Sequence, residues 1–364
     1  MSKVVLFSGH YYNSKRRAGF HFLADAFKAK GFDVVFVTVP VSLLTFLKND
    51  YKIYEKYFFK NLFRPIIFNG IKSIVNKSLL HPIDRNSKLI EEIGNMFFKL
   101  NDDVIKEVKT ADYIVFESTL ALLFFEQVKL INPKAYMIYR MSDDIEKLGL
   151  AKKVIAYERK ILNQFDLVSV PTKSMLDKFI LLSPNNVRLH YHGIDKASYD
   201  FCTESPYTSN LINHVFVGNS YLDENFIKIA SELFPDHNFH IIGPFKKFIK
   251  RKNVIFYGQL PFEETIPYVK FASSGLQIRK NAKNVAETLA DSLKVLQYTY
   301  CKLPIIAPSV IPAYHRKNFF YYEYNDKNSI KKCINNALMF DRSSFNSKVN
   351  NWEEIIEKWL LNED

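Results

Sequence analysis

Residues 290–307 read ADSLKVLQYTYCKLPIIA, a helical pattern followed directly by a strand pattern. The apolar spacing predicts a helix over Ser292–Tyr300, with Asp291 or Ser292 as its N-cap. The short apolar run Pro304–Ala307 predicts a buried strand. A helix and a strand in close succession are the repeating unit of a parallel sheet that helices cover on both faces.

The same alternation extends along almost the whole chain. In the second half, strands are predicted at Val215–Gly218, Phe239–Gly243, Val254–Tyr257, Gly275–Ile278 and Pro304–Ala307, with helices near Glu224–Leu233, Phe262–Phe271, Ser292–Tyr300 and Ser329–Phe340. In the first half, strands are predicted at Val4–Ser8, Asp33–Thr38, Tyr113–Glu117, Ala135–Tyr139, Leu167–Val170 and Val187–His190, with helices near Arg17–Lys30, Leu89–Lys109, Ala121–Leu130, Ala151–Asn163 and Ser174–Leu182. Two such series predict two doubly wound α/β domains, joined by the polar stretch His192–Ser209.

The composition is that of a globular protein with 364 residues, 48% hydrophobic and 24% charged. It excludes disordered, collagen-like and disulfide-scaffold proteins. Apolar runs such as Ala121–Phe125 are far shorter than the roughly 18 to 20 residues of a membrane span, and no signal-peptide core precedes the first strand. Cys202, Cys301 and Cys333 lack metal-ligand spacing. We therefore expect a cytoplasmic protein without a disulfide or a zinc site.

The net charge of +12 lies mostly in the first half, where residues 1–200 hold 30 Lys and Arg against 21 Asp and Glu. Such a field attracts phosphates, nucleic acids or anionic lipids without distinguishing them. Within Leu43–Pro82, where the alternation lapses, basic residues recur at every fourth position: Lys48, Lys52, Lys56, Lys60 and Arg64. On a helix they form a basic stripe suited to an anionic membrane surface. The alternative is a solvated face over an aromatic core, and the sequence does not decide between them.

Lys294 falls in the first turn of its predicted helix, and Gln297 lies one turn further along the same edge. A cation there is unfavourable for the helix dipole unless an anion shares the site. A pyrophosphate held by free N–H groups and the ammonium group explains the lysine, and simple exposure to water is the alternative.

Common phosphate and metal motifs are missing from the sequence. It has no G-x-x-x-x-G-K-[ST] loop and no G-x-G-x-x-G after its first strand, which argues against the usual kinases, ATPases and NAD dehydrogenases. It has no Asp-x-Asp pair either, so a divalent metal is not implied.

Three motifs resemble the donor-binding half of GT-B glycosyltransferases. The first motif is the stretch Lys294–Tyr298, which resembles the K-x-x-E/Q-Y helix of that superfamily. The stretch Cys301–Ala307 follows it and resembles the superfamily's G/C-x-P strand. His190–Asp195 resembles its H-x-G-[VI]-D hinge element, and Val217–Ser220 resembles its glycine turn.

The N-terminus narrows the resemblance to one family. Ser8–His10, Arg16–Ala18 and Phe20–Phe22 are similar to the opening of the GumK group of glucuronosyltransferases, glycosyltransferase family 70. The similarity spans nearly the whole chain except Leu43–Pro82, through Val115–Ser118, Tyr139–Asp143, Tyr157–Arg159, Tyr257–Gly258 and Leu289–Lys294.

This resemblance implies a GT-B fold, in which two Rossmann-like domains face a cleft. It places an acceptor-binding domain over residues 1–195 and a nucleotide-sugar domain over 196–345. The insert at 43–82 lies outside the resemblance, and its expected membrane-facing role rests on the basic stripe alone. A C-terminal helix in 346–364 is expected to cross back to the first domain. The stripe of Trp352, Ile355, Ile356, Trp359 and Leu360 independently calls for a packing partner.

The resemblance also implies site residues. Asp143, the aspartate of the Y-R-x-S-D element, is the expected catalytic base. The expected donor-binding residues are Gly218, Asn219, Ser220, Gln259, Arg279, Leu293, Lys294 and Gln297. Four of these, Ser220, Gln259, Arg279 and Leu293, depart from the family's residues, which leaves the identity of the sugar open. Arg279 can pair a uronate carboxylate or bind phosphate.

The chemistry of the residues supports some of these assignments independently. Asp143 follows the strand Ala135–Tyr139 at the edge where open α/β sheets bind ligands, and a carboxylate there can accept the proton of a sugar hydroxyl. Asp144 is its rival. Near the same edge, His10, Arg16 and Arg17 are expected to contact an anion such as the pyrophosphate of a lipid-linked acceptor, or to make only surface contacts.

Two further patterns are interpreted as structural. His190 and His192 have the spacing of a metal pair without an evident third ligand, so hinge packing is favoured. The aromatic run Phe319–Tyr322 is interpreted as packing.

The leading hypothesis is an inverting, metal-independent glycosyltransferase that needs no cofactor. It transfers a sugar, with glucuronate favoured, from a UDP-sugar to a lipid-diphosphate-linked oligosaccharide in bacterial exopolysaccharide or capsule assembly, at the inner face of the cell membrane. The alternatives are another UDP-sugar enzyme on the same scaffold, an epimerase or a hydrolase, and a non-catalytic basic protein that binds polyanions. Nucleic acid is not expected as a partner, because no known motif organises the basic residues.

Overall fold

The computed structural model describes residues 1–15, 17–47, 50–78, 98–208, 210–219, 221–313, 315–346, 348–361 and 363. The chain divides into two compact units. The first comprises Met1–Tyr191 and Trp352–Asp364, and the second comprises His192–Asn351. In the described ranges, no helix combines the length and apolar character that crossing a membrane requires.

The first unit is built on a sheet with eight strands in its described part. They are β1 Lys3–Ser8, β2 Asp33–Val41, β3 Ile66–Phe68, β4 Ile71–Lys77, β5 Tyr113–Glu117, β6 Tyr136–Arg140, β7 Leu167–Val170 and β8 Val187–Leu189. Their order is β3-β4-β2-β1-β5-β6-β7-β8, and all neighbours are parallel except β3 and β4. The direction of growth reverses between β1 and β5, and such a switch point is where doubly wound sheets bind ligands.

The second unit has a fully parallel sheet in its described part. Its strands are β9 Ile212–Val217, β10 His237–Ile242, β11 Val254–Gly258, β12 Ser274–Leu276, β13 Ile305–Pro308 and β14 Phe319–Tyr322. Their order, β11-β10-β9-β12-β13-β14, is the Rossmann order 3-2-1-4-5-6. The switch point of this unit lies between β9 and β12.

Helices flank both sheets. Those of the first unit are Gly19–Ala29, Leu43–Leu47, Phe58–Asn61, Asp102–Lys109, Phe125–Ile131, Lys152–Ile161, Lys173–Phe179 and Trp352–Leu361. Those of the second are Lys196–Phe201, Glu224–Leu233, Phe262–Lys270, Ala286–Leu289, Leu293–Tyr300 and Lys327–Leu338, and short 3-10 helices span Tyr51–Tyr54, Leu120–Phe124, Leu162–Gln164 and Lys283–Val285. Side-chain caps begin several of them: Asn101 accepts from the backbone N–H of Val104, and Asp223 accepts from that of Phe226.

The central strands are apolar on both faces, as parallel strands between helical layers must be. All four residues of Val4–Phe7 in β1 are fully buried. Ile305, Ile306 and Ala307 of β13 are fully buried as well. Continuous apolar runs in the sequence therefore identify the central strands. The carboxyl ends of such strands form the edge where doubly wound sheets bind ligands.

The basic segment does not form the helix that its spacing predicts. Leu43–Leu47, Tyr51–Tyr54 and Phe58–Asn61 are separate short turns, and the hairpin β3-β4 follows them. The hairpin turns at Asn69-Gly70, both with positive φ, and β4 then extends the sheet beside β2. Tyr57, with a φ of +68°, interrupts a continuous helix between Lys56 and Lys60, and the Asn-Gly pair marks the hairpin that follows.

The aromatic run Phe319–Tyr322 forms the edge strand β14, and Phe319 and Tyr322 are buried in the core, so its interpretation as packing is confirmed. Two other local predictions change. The predicted seam His192–Ser209 contains the helix Lys196–Phe201, which Asp195 caps. Of the helix expected near Leu89–Lys109, the structure shows Asp102–Lys109, while residues 79–97 lie outside the described residues.

The C-terminal helix Trp352–Leu361 packs on the helix Gly19–Ala29 of the first unit. The Trp352 ring stacks on Phe22 with centroids 6.2 Å apart. Trp359 is 1% exposed, and its Nε1 donates a hydrogen bond to Ser169 Oγ at 3.1 Å. The apolar stripe of this helix is therefore covered by the unit in which the chain begins.

Candidate active site

The switch point of the second unit places Lys294 beside the end of β9. Its Nζ lies 4.4 Å from the centroid of the Phe216 ring. A Cβ at Gly218 would lie 3.6 Å from that Nζ and 2.8 Å from the Phe216 ring, so glycine keeps the space beside the ammonium group open. Burial, and then the charge of Arg279, lower the pKa of Lys294 to about 7.

Arg279, after β12, supplies a second cation at the same switch point. Its guanidinium lies 4.3 Å from the centroid of the Tyr221 ring, and its Nε is buried without a hydrogen-bond partner in the structure. Among the described residues, neither Lys294 nor Arg279 forms an ion pair. Two neighbouring cations without an acidic partner favour a bound anion.

The glycine turn after β9 is held by a close backbone approach. The N–H of Gly218 donates to the carbonyl of Ile242 at 3.0 Å. A Cβ at Gly243, whose φ is +148°, would lie 1.8 Å from the carbonyl oxygen of Gly218. Only glycine fits at position 243, and it brings the ends of β9 and β10 together at the ligand-binding edge.

The helix N-terminus that carries Lys294 is not capped by a side chain. Asp291, one of the two predicted N-caps, instead accepts hydrogen bonds from Arg316 Nη2 at 2.5 Å and His315 Nε2 at 2.9 Å. The N-cap is Ser292, and its side chain makes no capping hydrogen bond. The N–H groups of the first turn are therefore available to an anion.

The remaining predicted donor-binding residues differ in their exposure to solvent. Leu293 and Gln297 are half-buried on the helix of Lys294, and Asn219 and Gln259 are exposed directly after Gly218 and Gly258. Ser220 lies outside the described residues. The contacts above join Lys294, Arg279 and Gly218, and those are the predicted donor residues that the structure brings together.

The switch point of the first unit carries a network centred on Glu117, the last residue of β5. Its Oε2 accepts hydrogen bonds from Ser8 Oγ at 2.6 Å and from the N–H of Gly9 at 3.0 Å. Its Oε1 lies 3.5 Å from Nε2 of His10, and Nδ1 of His10 lies 3.2 Å from the Tyr51 hydroxyl. The sequence analysis did not assign Glu117 a role, although a carboxylate at the end of a buried strand is a recognisable signal.

Asp143 lies in the loop after β6, one strand from this switch point. Its N–H donates to Ser118 Oγ at 3.0 Å, and the residue as a whole is exposed. Partial burial of its carboxyl group, and then the negative charges of Glu117 and Asp144, raise the pKa of Asp143 to about 6. At neutral pH the group is mainly ionised and able to accept a proton.

Asp144 differs from its neighbour because it is buried and paired. Its Oδ2 lies 2.7 Å from Nζ of Lys178, and its Oδ1 accepts from the N–H of Glu146 at 3.1 Å. Arg140, 1% exposed, fixes the start of this loop by donating to Ser169 Oγ and to the carbonyl of His190, both at 2.7 Å. The structure therefore gives Asp144 a structural role and leaves Asp143 facing solvent.

The expected anion site at the first helix is only partly present. Arg17 is not directed at an anion, because it pairs with Asp25 and lies 5.2 Å from the centroid of the Phe22 ring. Arg16 lies outside the described residues. His10, in the Glu117 network, is the described member of this group that lies at the switch point.

His190 is not a metal ligand in this arrangement. Its Nδ1 lies 3.0 Å from Ser169 Oγ and its Nε2 lies 2.7 Å from the carbonyl of Glu363. The described residues contain no cluster of His, Cys, Asp and Glu suited to a metal ion. His190 thus helps to hold the C-terminal segment on the first unit.

The basic insert exposes aromatic as well as basic side chains. Lys52 is 7% exposed and pairs with Asp50 at 2.8 Å, so it is not part of a surface stripe. Lys48 lies outside the described residues. The exposed side chains of this insert include Lys56, Lys60 and Arg64 together with Tyr54, Tyr57, Phe59, Phe63 and Ile67.

Known proteins resemble this chain in sequence and in fold. Residues 6–171 match the family described as glucuronosyltransferase GumK, N-terminal domain. The UDP-glucuronate:glycolipid 2-beta-glucuronosyltransferase of Xanthomonas campestris pv. campestris is 26% identical over 367 residues, which cover 98% of this chain and 88% of that protein.

Solved structures extend the comparison over the whole fold. Anabaena HepE, solved in complex with UDP and glucose, gives a TM-score of 0.66 at 13% identity and covers 100% of this chain and 99% of its own. Sucrose-phosphate synthase from Thermosynechococcus elongatus gives 0.64 at 14% identity, with 100% and 98% covered. The chain therefore has the GT-B fold, and in sequence it is similar to the GumK group of glucuronosyltransferases, through the family model over residues 6–171 and the Xanthomonas relative over nearly the whole chain.

Proposed function

We propose that this protein is an inverting glycosyltransferase that transfers glucuronate from UDP-glucuronate to a lipid-diphosphate-linked oligosaccharide during assembly of a bacterial exopolysaccharide or capsule. The observation that carries the proposal is the pair of cations at the Rossmann switch point, Lys294 and Arg279, beside an uncapped helix N-terminus. The name of the Xanthomonas relative supports the donor and the glycolipid acceptor.

The proposed reaction is a single displacement at C1 of the sugar. The acceptor hydroxyl oxygen forms a bond to C1 while its proton passes to the Asp143 carboxylate. The bond between C1 and the β-phosphate oxygen breaks, and UDP leaves with the electron pair. Lys294 and the helix N–H groups stabilise the negative charge that develops on the diphosphate. Attack from the face opposite to UDP inverts the configuration at C1.

We further propose that transfer requires no divalent metal. In metal-dependent transferases a bound cation neutralises the leaving diphosphate, and here Lys294 and Arg279 supply that charge. Activity should persist in EDTA and should not rise when Mg²⁺ or Mn²⁺ is added. An activity that EDTA abolishes and Mn²⁺ restores would contradict this part of the proposal.

A donor and acceptor screen tests the function directly. Binding stabilises the folded state by mass action, so UDP-glucuronate should raise Tm and give a calorimetric signal, and UDP-glucose should bind more weakly. Transfer of labelled glucuronate to a lipid-diphosphate oligosaccharide should then occur with inversion. Consumption of the donor without a glycan acceptor would favour an epimerase or a hydrolase instead.

We also propose that the insert binds the anionic face of the membrane on which a lipid-linked acceptor resides. Exposed aromatic rings beside exposed basic residues suit the interfacial region of a bilayer, where rings enter the headgroup layer and cations meet lipid phosphates. Phe63 is 79% exposed, and Lys77 lies 5.0 Å from the centroid of its ring.

Charge reversal tests the membrane proposal. Changing Lys56, Lys60 and Arg64 to Glu should abolish co-sedimentation with phosphatidylserine vesicles at low salt, since each basic residue contributes about 1 kcal/mol near such a surface. Reversal of three exposed lysines of the second unit, Lys246, Lys331 and Lys332, is the matched control and should retain binding. Equal loss in both variants would mean that only net charge matters.

A further inference from the structure

The N-cap serine of the helix that carries Lys294 is held in an unusual hydrogen-bonding state. Ser292 occupies the position from which a serine side chain normally accepts a hydrogen bond from the second or third helical N–H, and it makes no such bond. Its Oγ instead accepts from Nε2 of Gln277 at 3.1 Å. Among the described residues no acceptor takes the hydroxyl proton of Ser292, so that proton can be donated to a ligand.

Gln277, which donates this hydrogen bond to Ser292, is fully buried. Its side chain is 0% exposed, and Nε2 also donates to the carbonyl of Leu289 at 2.8 Å. That carbonyl can only accept, so the amide orientation is fixed with its nitrogen toward Ser292. The amide oxygen, Oε1, is buried without a hydrogen-bond partner in the structure. A buried unsatisfied amide oxygen is destabilising, so the arrangement is not explained by stability alone.

We propose that Ser292 donates a hydrogen bond to a phosphate group of a nucleoside diphosphate, and that Gln277 is a positioning residue that keeps this hydroxyl from capping its own helix. The inference rests on the proposed function, because it assigns residues of the same donor site. Ser292 directly precedes Leu293 and Lys294, so hydroxyl, N–H groups and ammonium group converge on one anion.

Calorimetry with UDP tests both roles. Ser292→Ala should weaken UDP binding about 10-fold to 100-fold, the range for a hydrogen bond to a charged group. Ser292→Thr keeps the hydroxyl and should retain most of the affinity. Uridine, which lacks the phosphates, should bind Ser292→Ala and the wild type equally. Ser231→Ala, which removes a buried hydroxyl that accepts from Arg251, is the matched control and should leave UDP affinity unchanged.

Gln277→Met separates positioning from folding. The near-isosteric apolar side chain removes the unsatisfied oxygen together with the two hydrogen bonds that Nε2 donates, so Tm should change little, while UDP affinity falls about 3-fold to 10-fold because Ser292 turns back to cap the helix. The double variant with Ser292→Ala should bind no more weakly than Ser292→Ala alone. Wild-type affinity in both single variants, or additive losses in the double variant, would overturn the inference. Failure of the wild type itself to bind UDP would instead reject the proposed function.

Discussion

At the scale of single residues, neighbouring groups of the same type have opposite environments. Asp143 is open to solvent and has a raised pKa, whereas Asp144 is buried against Lys178. The difference between them shows that residue type alone does not identify which carboxylate of a motif can act as a base. A general base must reach the acceptor hydroxyl, and of these two carboxylates only Asp143 is exposed and without an ion pair in the described structure.

We predict that Asp143→Asn lowers kcat by about 10² to 10⁴ and leaves UDP affinity unchanged, because asparagine cannot accept the acceptor's proton. In the wild type, kcat/KM should fall on the acid side with a midpoint near pH 6, where Asp143 becomes protonated. Initial rates between pH 4.5 and 8.5 measure both effects.

Asp144→Asn is the control for this prediction. It breaks the ion pair with Lys178, so it should lower Tm while the folded fraction keeps near-normal kcat. Equal losses of kcat in the two variants, or full activity in Asp143→Asn, would show that the base lies elsewhere.

Lys294 should take up a proton when the diphosphate binds. Its pKa is about 7, because burial and Arg279 disfavour the charged form, and binding of an anion would raise it. At pH 8, calorimetry in buffers of different ionisation enthalpy should show uptake of about one proton per UDP.

Lys294→Met should abolish this uptake and weaken UDP binding about 10-fold to 100-fold, the range of one charge-assisted contact. Lys280→Met, a change at an exposed lysine that follows Arg279 in the sequence, should change neither quantity. Wild-type proton uptake in the Lys294 variant would remove this lysine from the site.

At the scale of elements, the C-terminal helix stabilises the unit in which the chain begins. Trp352 and Trp359 are the chain's two tryptophans, and both pack against the first unit. Intrinsic tryptophan fluorescence therefore reports the state of this helix and its packing surface.

Trp359→Ala should lower the free energy of unfolding of the first unit by about 3 to 5 kcal/mol, because it leaves a large cavity and strips Ser169 of a donor. Urea unfolding followed by circular dichroism, and by the fluorescence of the remaining tryptophan, measures the change. Leu361→Ala, at a side chain 64% exposed on the same helix, should cost far less. Similar losses in the two variants would mean that the helix is not packed as described.

At the scale of the whole molecule, both units bury histidines, and three of them, His214, His237 and His240, lie close together in the second unit. His214 Nε2 lies 3.0 Å from His237 Nδ1, and His240 lies between the Tyr257 hydroxyl at 2.8 Å and Asn213 Oδ1 at 2.9 Å. Burial lowers the pKa of His214 to about 3 and that of His240 to about 4. Both rings are neutral in the folded unit at every pH above those values.

The second unit should therefore lose stability as pH falls from about 6.5 to 4. In that window the unfolded chain binds protons at His214 and His240 that the folded unit does not, so acid favours unfolding, by about 2 to 5 kcal/mol in total. Hydrogen exchange of β9 and β10 amides at pH 7 and pH 5 measures the loss. His240→Gln, which keeps a neutral polar group, should flatten the pH dependence, and an unchanged slope would contradict the assignment.

The sequence by itself determined most of the local elements and the resemblance to the GumK group. Continuous apolar runs located most strands, because a parallel strand between helices must be apolar on both faces. The motif at Leu289–Lys294 located the start of the helix Leu293–Tyr300, because its residues are adjacent in the chain. These features depend on neighbours within a few positions, and a sequence displays such neighbours directly.

Only the tertiary structure decided which polar groups form hydrogen bonds or ion pairs with one another. Ser8 and Glu117 are 109 residues apart in the sequence, and Asp144 and Lys178 are 34 apart. The same reason explains why Arg17 and Lys52, considered as contacts for a bound anion and for a membrane surface, are found paired with Asp25 and Asp50. A charge is available to a ligand only if no other part of the fold neutralises it, and that depends on contacts which the order of residues does not display.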